Sequence, residues 1–598
     1  MLNNNRRFSA SKTSLLSQAQ RSPASSRVGH DHNGRRRPSA DASIHTMART
    51  ISRNGTSVAE KYSLGLGPET FAAALNEREP DDMLHDPRID LGNGSVISYR
   101  AVSNIGCLAI LVLGILMLFA GYPILSTFLK KEQTTQGGFN LGGINSTGQI
   151  PYFPNKVSLI DPDTPKEAMT IPGYNDPSKS FQLVFSDEFN VDGRSFYAGD
   201  DPFWEAVDLH YWGTVDLEWY DPMQATTSGG SLRLKIDQVG NVDDNHNLTY
   251  RSGMIQSWNK FCFTGGILEA SVTLPGSSIT SGLWPALWSM GNLGRAGYGA
   301  SLEGMWPYSY DSCDVGTLAN QTYPGTQTPV GATVHGDGRY DGVLSILPGQ
   351  KLSACTCPGE SHPGPVRKDG TYVGRSSPEI DVFEAIVDLG EGSVSLSAQW
   401  APFNERYQFD NSTGAITYHD NGITIHNGFV GGARQQTTSG LARTNQQCYE
   451  QSGGCYAKYA FEYKTGFDDG YITWVQDSQH SWTLRGPAMG PDTGVEISTR
   501  PISQEPMYII ANVGISPGFG TLDFENLVFP ATMSIDYIRV YQPADAINVG
   551  CDPTDFPTKA YIETYIEAYT NPNLTVWGNT MEGGYNQTWP KNRLKDNC

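Results

Sequence analysis

Three carboxylates fall within six residues of one apolar run, "EIDVFE" (Glu379–Glu384). Their neighbours Ile380, Val382 and Phe383 are strand formers. On a regular strand, side chains alternate faces, so Glu379 and Asp381 lie together and Glu384 points away. One extra residue, inserted as a β-bulge between Asp381 and Glu384, returns all three acids to one face. The two glutamates then stand about four strand steps apart, roughly 13 Å between Cα atoms at ~3.3 Å per step. Side chains leaning together close that gap to about 5–5.5 Å. At that separation one carboxylate can attack a sugar's anomeric carbon while the other protonates the leaving oxygen. Asp381, between them, would hydrogen-bond the attacking acid and hold the glutamates' pKa values apart. Taken alone, the same pattern also suits an exposed strand edge with solvated acids.

The elements that must position these acids are short strands. "FQLVFSDEF", "SLRLKID", "GGILEASVTL", "EIDVFEAIV", "AFEYKTGF", "YITWVQD", "MYIIANVGI" and "MSIDYIRVYQ" are apolar or alternating segments punctuated by Gly, Pro, Asn and Asp. With 65 glycines, 36 prolines and only 17% charged residues, the chain reads as all-β, a sandwich or a barrel, over 181–542. Residues 291–378 interrupt the strand pattern as an irregular insertion that contains Cys313, Cys355 and Cys357. After 542 comes an extension, 543–598, with one short helical candidate, Lys559–Tyr569. Cys551 and Cys598 bracket that candidate, and a bridge between them is one of the pairings left open. Cys355-Thr-Cys357 also admits zinc, although C-x-C without a second pair is a weak metal signal.

Charge and hydropathy divide the chain further. Residues 1–58 carry ten basic and two acidic residues, a net +8, leaving −28 on the remainder of a chain whose total is −20. So acidic a body argues against nucleic acid as a partner. No Gly-rich phosphate loop follows a strand and opens a helix, which argues against a synthase using activated sugar. Residues 1–100 read as a disordered cytosolic tail and 130–180 as a Gly/Pro/Asn-rich stalk. Between them, 101–129 hold no charged residue, and Ile105–Tyr122 is almost wholly apolar. A run of that length spans a bilayer as a single signal-anchor helix. Nearby basic residues almost tie on the two sides of the span. Cysteine breaks the tie: none precedes the span, Cys107 lies in it and eight follow. An even number confined to one side indicates an oxidising compartment, with 105 pairings open. Six Asn-x-Ser/Thr acceptors also follow the span, at Asn145, Asn247, Asn320, Asn411, Asn573 and Asn586. The expected topology is a single-pass type II protein of the secretory pathway (endoplasmic reticulum, Golgi or plasma membrane).

"EIDVFE" resembles the bulged signature E-[apolar]-D-x-x-E of glycoside hydrolase family 16. "LVFSDEF" resembles that family's opening strand, "SGMIQSWNKFCFTGGILEASVTLP" with "GLWPALW" its run into the sugar cleft, and "MSIDYIRVYQ" its closing strand. Within the family, "GNLGRAGYGASLEGMWPYSYDSCDVGT" (Gly291–Thr317) and the long tail before one span are most similar to fungal membrane-anchored proteins required for β-1,6-glucan synthesis. The resemblance implies a two-sheet antiparallel β-sandwich, a concanavalin-like jelly roll, whose concave face forms a glucan groove. It implies Glu379 as nucleophile, Asp381 as its assisting acid and Glu384 as general acid/base. It places Trp284 and Trp288 beside the groove and Trp400 ("SAQWAPF") on its floor, where a sugar's C–H face stacks on indole.

The same resemblance implies β-glucan as ligand, cell-wall synthesis proteins as partners, and no cofactor. Glu188 and Asp536 resemble positions near a structural calcium in some relatives; the reading taken is solvated or hydrogen-bonded acids, with no metal. Two departures from the plain hydrolases stand out: about 90 residues separate Trp288 from Glu379, and Ser271 follows "LEA" where many relatives have arginine. The expected function is a retaining glucan-active glycosidase or transglycosylase. The alternative is a non-catalytic glucan-binding scaffold or assembly factor.

Overall fold

The computed structural model describes residues 99–129 and 158–598, apart from Asn421 and Met581. The expected tail through residue 98 and the first part of the stalk, 130–157, lie outside the described residues. Tyr99–Leu116 is α-helical and continues through a π-helical turn, Met117–Gly121, into the helix Tyr122–Leu129. Its apolar stretch Ser103–Leu125, 23 residues, holds no buried residue. At 1.5 Å per residue it measures ~35 Å, long enough for a ~30 Å hydrocarbon core.

Residues 158–598 form a second unit. Its main strands are, in chain order, β1 (Ser180–Asp187), β2 (Leu232–Gln238), β3 (Met254–Gln256), β4 (Gly266–Thr273), β5 (Trp284–Gly291), β6 (Glu379–Asp388), β7 (Glu391–Trp400), β8 (Gln435–Arg443), β9 (Ala457–Lys464), β10 (Tyr471–Gln476), β11 (Gln479–Arg485), β12 (Met507–Gly514) and β13 (Ala531–Pro543). They make two antiparallel sheets. The front sheet runs β8–β7–β6–β5–β12–β3; the back sheet runs β11–β10–β9–β4–β13–β2, with β1 added on β13. The architecture is the expected two-sheet β-sandwich.

Alternation along each strand sends one set of side chains between the sheets. Leu287, Ile380, Val382, Phe383, Leu396 and Ile509 from the front meet Leu234, Leu268, Phe461, Trp474 and Val540 from the back, all buried in one core. Each such side chain contributes roughly 1.5–3 kcal/mol by leaving water. Trp474 and Trp482 of the back sheet stack at 4.3 Å. Their indole N–H groups cross the core to the front sheet's backbone, at Asp381 O (2.8 Å) and Leu396 O (3.1 Å).

One expectation is corrected here, and the open cysteine pairing is resolved. Part of the expected stalk, 158–180, belongs to the folded unit: Thr170–Pro172 pairs with β1, and Ile160, Ile171 and Tyr174 pack on the back sheet's outer cluster. The edge of β1 offers unpaired backbone groups, and even a Gly/Pro-rich segment gains by satisfying them. The cysteines pair as Cys262–Cys551, Cys313–Cys355, Cys357–Cys598 and Cys448–Cys455. Cys551 and Cys598 therefore do not bridge each other, and Cys355 and Cys357 are disulfide partners of other residues rather than a zinc pair. The reason is local: Gly550 N donates to Cys262 O (2.8 Å), which sets Cys551 beside Cys262, with Cα atoms 4.8 Å apart.

The insertion holds only short helices, among them Gly299–Leu302 and Gly331–Val334, and the extension holds Lys559–Thr564 and Ile566–Thr570. Arg375, fully buried, joins these parts. It makes a bidentate pair with Glu505 (2.9 and 2.8 Å) and donates to Gly364 O in the insertion and Pro557 O in the extension (2.8 Å each).

Candidate active site

The bulge is present on β6. Asp381 faces Trp288 and Phe383 faces Leu287 across β5, so Val382 is the extra residue; across β7, Asp381 faces Ser397 and Glu384 faces Ser395. Ile380, Val382 and Phe383 consequently all enter the core, while Glu379, Asp381 and Glu384 line one cavity on the front sheet. A bulge breaks the ladder locally. Asp381's carbonyl is satisfied by the Trp474 indole, and the Ile380 carbonyl by Ser289 Oγ (3.0 Å).

Each acid has its own partners. Asp381, 1% exposed, accepts from Ser397 Oγ (2.7 Å) and Gln399 Nε2 (3.1 Å) through one carboxylate oxygen. Glu384 accepts from Trp284 Nε1 (3.1 Å) and from Ser397 Oγ (3.3 Å). Glu379 accepts from the indole of Trp306. Burial pushes all three carboxyls up. Glu384 rises to about 8, from burial and then from the charge of Asp381. Asp381 rises to about 6 through burial, opposed by the donors Ser397 and Gln399. Glu379 lies well above its ordinary range through burial and then the charges of Asp381 and Glu384, opposed by the Trp306 donor. Like charges this close do not all ionise together, so the cluster holds protons at neutral pH.

The cavity has a volume of about 690 Å³. Trp284 and Trp288 of β5, which the resemblance puts beside a groove, line it. Trp284 stacks on Phe519 (4.3 Å, 9° between planes), and Trp288 donates to Asn512 Oδ1 (2.9 Å). Trp400 is not brought there. It is 3% exposed, sits in the core between the sheets and donates to Thr438 Oγ1 (2.9 Å). The reason is parity: Ser397 and Gln399 of β7 face the acids, so Ala398 and Trp400 face inward.

Sequence reasoning missed much of the lining. Trp306, Glu303 and Leu347 come from the insertion, Thr575 and Val576 from the extension, and Tyr211 and Asp216 from the segment before β2. Insertion and extension build one wall together. Ala300 N donates to Leu574 O (2.9 Å), and Trp577 N to Glu303 (2.6 Å). Gly304, at φ +72°, leaves room for the Trp589 ring where a Cβ would clash. Trp306 stands in "GMWPYSY", a stretch whose spacing carries no periodic signal.

A second buried acid pair, Asp216 and Glu218, steadies Trp288 from behind. Tyr220 donates to Asp216 (3.3 Å) and accepts from Asn512 (3.1 Å), whose carbonyl receives the Trp288 N–H. Burial raises Asp216 to about 6 and, with the charge of Asp216 added, Glu218 well above its usual value. Glu188 is a hydrogen-bonded acid: it forms a bidentate pair with Arg539 (2.9 and 2.7 Å) and accepts from Thr164 Oγ1 (2.8 Å). Asp536 is half-buried, raised by burial and then by the charge of Glu188.

Fold and site together define a two-sheet β-sandwich with a bulged, acid-bearing strand in a tryptophan-lined groove. Over residues 71–598 the chain matches the family described as Beta-glucan synthesis-associated protein SKN1/KRE6/Sbg1, and it belongs to that family. It is 43% identical over 552 residues to Beta-glucan synthesis-associated protein KRE6 of Saccharomyces cerevisiae, covering 89% of this chain and 71% of that one. It is 41% identical over 542 residues to Beta-glucan synthesis-associated protein SKN1 of Candida albicans, covering 89% and 68%. Among solved structures, the catalytic domain of an endo-1,3-beta-glucanase (laminarinase) from Thermotoga petrophila aligns over 61% of this chain and 99% of its own, with 19% identity and a TM-score of 0.34.

Proposed function

We propose that this protein is a membrane-anchored, retaining β-glucan-active glycosidase or transglycosylase that serves cell-wall β-1,6-glucan synthesis. The observation that carries the reading is the bulge that sets Glu379, Asp381 and Glu384 on one face of a tryptophan-lined cavity. Glu379 passes its proton to Asp381, keeps the Trp306 N–H as a donor, and attacks the anomeric carbon as the glycosidic C–O bond breaks. Glu384 gives its proton to the leaving oxygen; a carboxyl raised to about 8 still holds that proton at neutral pH. In the second step water or a sugar hydroxyl attacks the same carbon, returns a proton to Glu384 and releases Glu379. A role in synthesis favours the sugar acceptor, because transfer conserves glucan. The four disulfides after the apolar helix support placing residues 158–598 on the lumenal or extracellular side.

The test uses the full chain in detergent, wild type and Glu379→Gln, with β-1,3- and β-1,6-gluco-oligosaccharides, products being resolved by mass. Wild type is expected to make shorter or longer oligomers, and the variant to lose on the order of 10⁴-fold or more of that activity. If neither protein alters any oligomer while both bind equally well, the scaffold reading replaces this one.

A further inference from the structure

One end of the cavity carries two polar atoms that nothing in the fold uses. Tyr340 Oη and Arg434 Nε are buried and have no hydrogen-bond partner among the described residues. They arrive on separate segments. Tyr340 belongs to the insertion; Arg434 sits at the tip of a hairpin in which Gly431 pairs with Gln436 and Gly432 with Gln435. Ile346 N donates to Ala433 O (2.9 Å), which holds the two segments side by side. Both residues line the cavity, together with Ile346, Leu347, Pro348 and Gln435.

Arg434 is the one cationic side chain among the residues lining the cavity. The nearby Asp337 is occupied by Arg339, so Arg434 has no carboxylate partner among the described residues. Buried donors are almost always satisfied, and two orphans on residues that line one cavity point to an occupant that satisfies both. This end is also tied to the acids. Gln435 Nε2 donates to Gln399 Oε1 (3.1 Å), and Gln399 Nε2 donates to Asp381 (3.1 Å).

We propose that Arg434 and Tyr340 form an outer saccharide subsite that takes one uncharged glucosyl unit of a β-glucan chain. The guanidinium donates to ring hydroxyls, the tyrosine hydroxyl donates or accepts, and Leu347 and Pro348 lie against the apolar C–H face. The carboxylates in the same cavity disfavour an anion. The proposal rests on the glucan-cleft reading above, and adds which residues set how long a chain the cleft grips.

The experiment measures binding by calorimetry to the full-length Glu379→Gln protein in detergent, with β-gluco-oligosaccharides from disaccharide to heptasaccharide. Affinity is expected to rise with length until the outer subsite fills. Adding Arg434→Ala is expected to lower affinity by about tenfold for the longer oligomers and to leave the disaccharide unchanged. Tyr340→Phe, which removes one oxygen and keeps the ring, gives a smaller loss in the same long ligands. Melting curves check that both variants fold, and the tyrosine variant carries the test if the arginine variant does not. Equal affinities for parent and variants at every length overturn the proposal. So does tighter binding of glucose 6-phosphate than of glucose that is lost in Arg434→Ala, which would make this an anion site. Length-dependent losses in a protein whose wild type turns nothing over would leave the subsite standing and remove only the catalytic reading. No binding at any length overturns both.

Discussion

The cavity's floor and its wall are built on opposite plans. The floor is front sheet, where period-2 alternation and backbone ladders fix each side chain, and the acids need only the bulge to meet. The wall is loop, drawn from the insertion and the extension, and it is held by Arg375, by glycine-permitted ring contacts and by Cys357–Cys598. A sheet carries its own positional information from residue to residue. A loop wall borrows its position from distant anchors. Under the proposed mechanism the chemistry resides in the floor, while access and the surroundings of Glu379 depend on the wall.

The strongest separation of the two comes from Glu384→Gln. It should cost about 10²–10⁴-fold in turnover while both floor and wall stay folded. The same variant has a pH signature. A carboxyl raised from 4.5 to about 8 contributes stability that is complete below its unfolded value and lost as pH rises through about 8. Wild type should thus melt at progressively lower temperature between about pH 5 and pH 9, and Glu384→Gln should flatten that slope. An unchanged slope would show that Glu384 is not the buried proton holder.

Next in size is Arg375→Met, which leaves Glu505 buried and unpaired. About 3–5 kcal/mol of stability should be lost in denaturant titration, and Glu505→Leu added to it should restore a large part. If Arg375→Met melts like wild type, the wall has anchors independent of this pair. The smallest effect tests the link between the regions. Trp306→Phe keeps a ring in the wall and removes the donor to Glu379, so kcat should fall about tenfold with the melting temperature unchanged. A kcat equal to wild type would mean that the wall shapes access alone.

The same contrast governs what the sequence discloses. The acids and the bulge are legible because strand alternation is local and "EIDVFE" violates it, whereas Trp284 and Trp288 are placed only by the family resemblance. Trp400 is not legible: only the register that sets Ser397 opposite Asp381, which the structure supplies, puts it one position out of phase and into the core. Trp306, Tyr211 and Thr575 were not legible, because long irregular segments bring them to the cavity and no period connects them to the acids. The disulfide pairing, open among 105 arrangements, was not legible either. Cys551 and Cys598 look like neighbours bracketing a helix, yet their partners lie 289 and 241 residues away in sequence. Tyr340 and Arg434 are ordinary residues in the sequence; only burial without a partner distinguishes them.

Val382, the extra residue of the bulge, has a consequence for how the gene can vary. It packs in the core as any small apolar residue would, and exchange for Ile adds one methylene there at a cost of about 1–3 kcal/mol. Its presence is not what turns the acids to one face. Removing one residue between Asp381 and Glu384 leaves E-x-D-x-E, in which strict alternation alone puts all three carboxylates on one side of the sheet. What such a deletion removes is the bulge, with its local bend, and the core contacts of Val382. The constrained quantity in this segment is thus the common facing of the acids, and a single-codon deletion of Val382 should be better tolerated than any substitution of Glu379, Asp381 or Glu384.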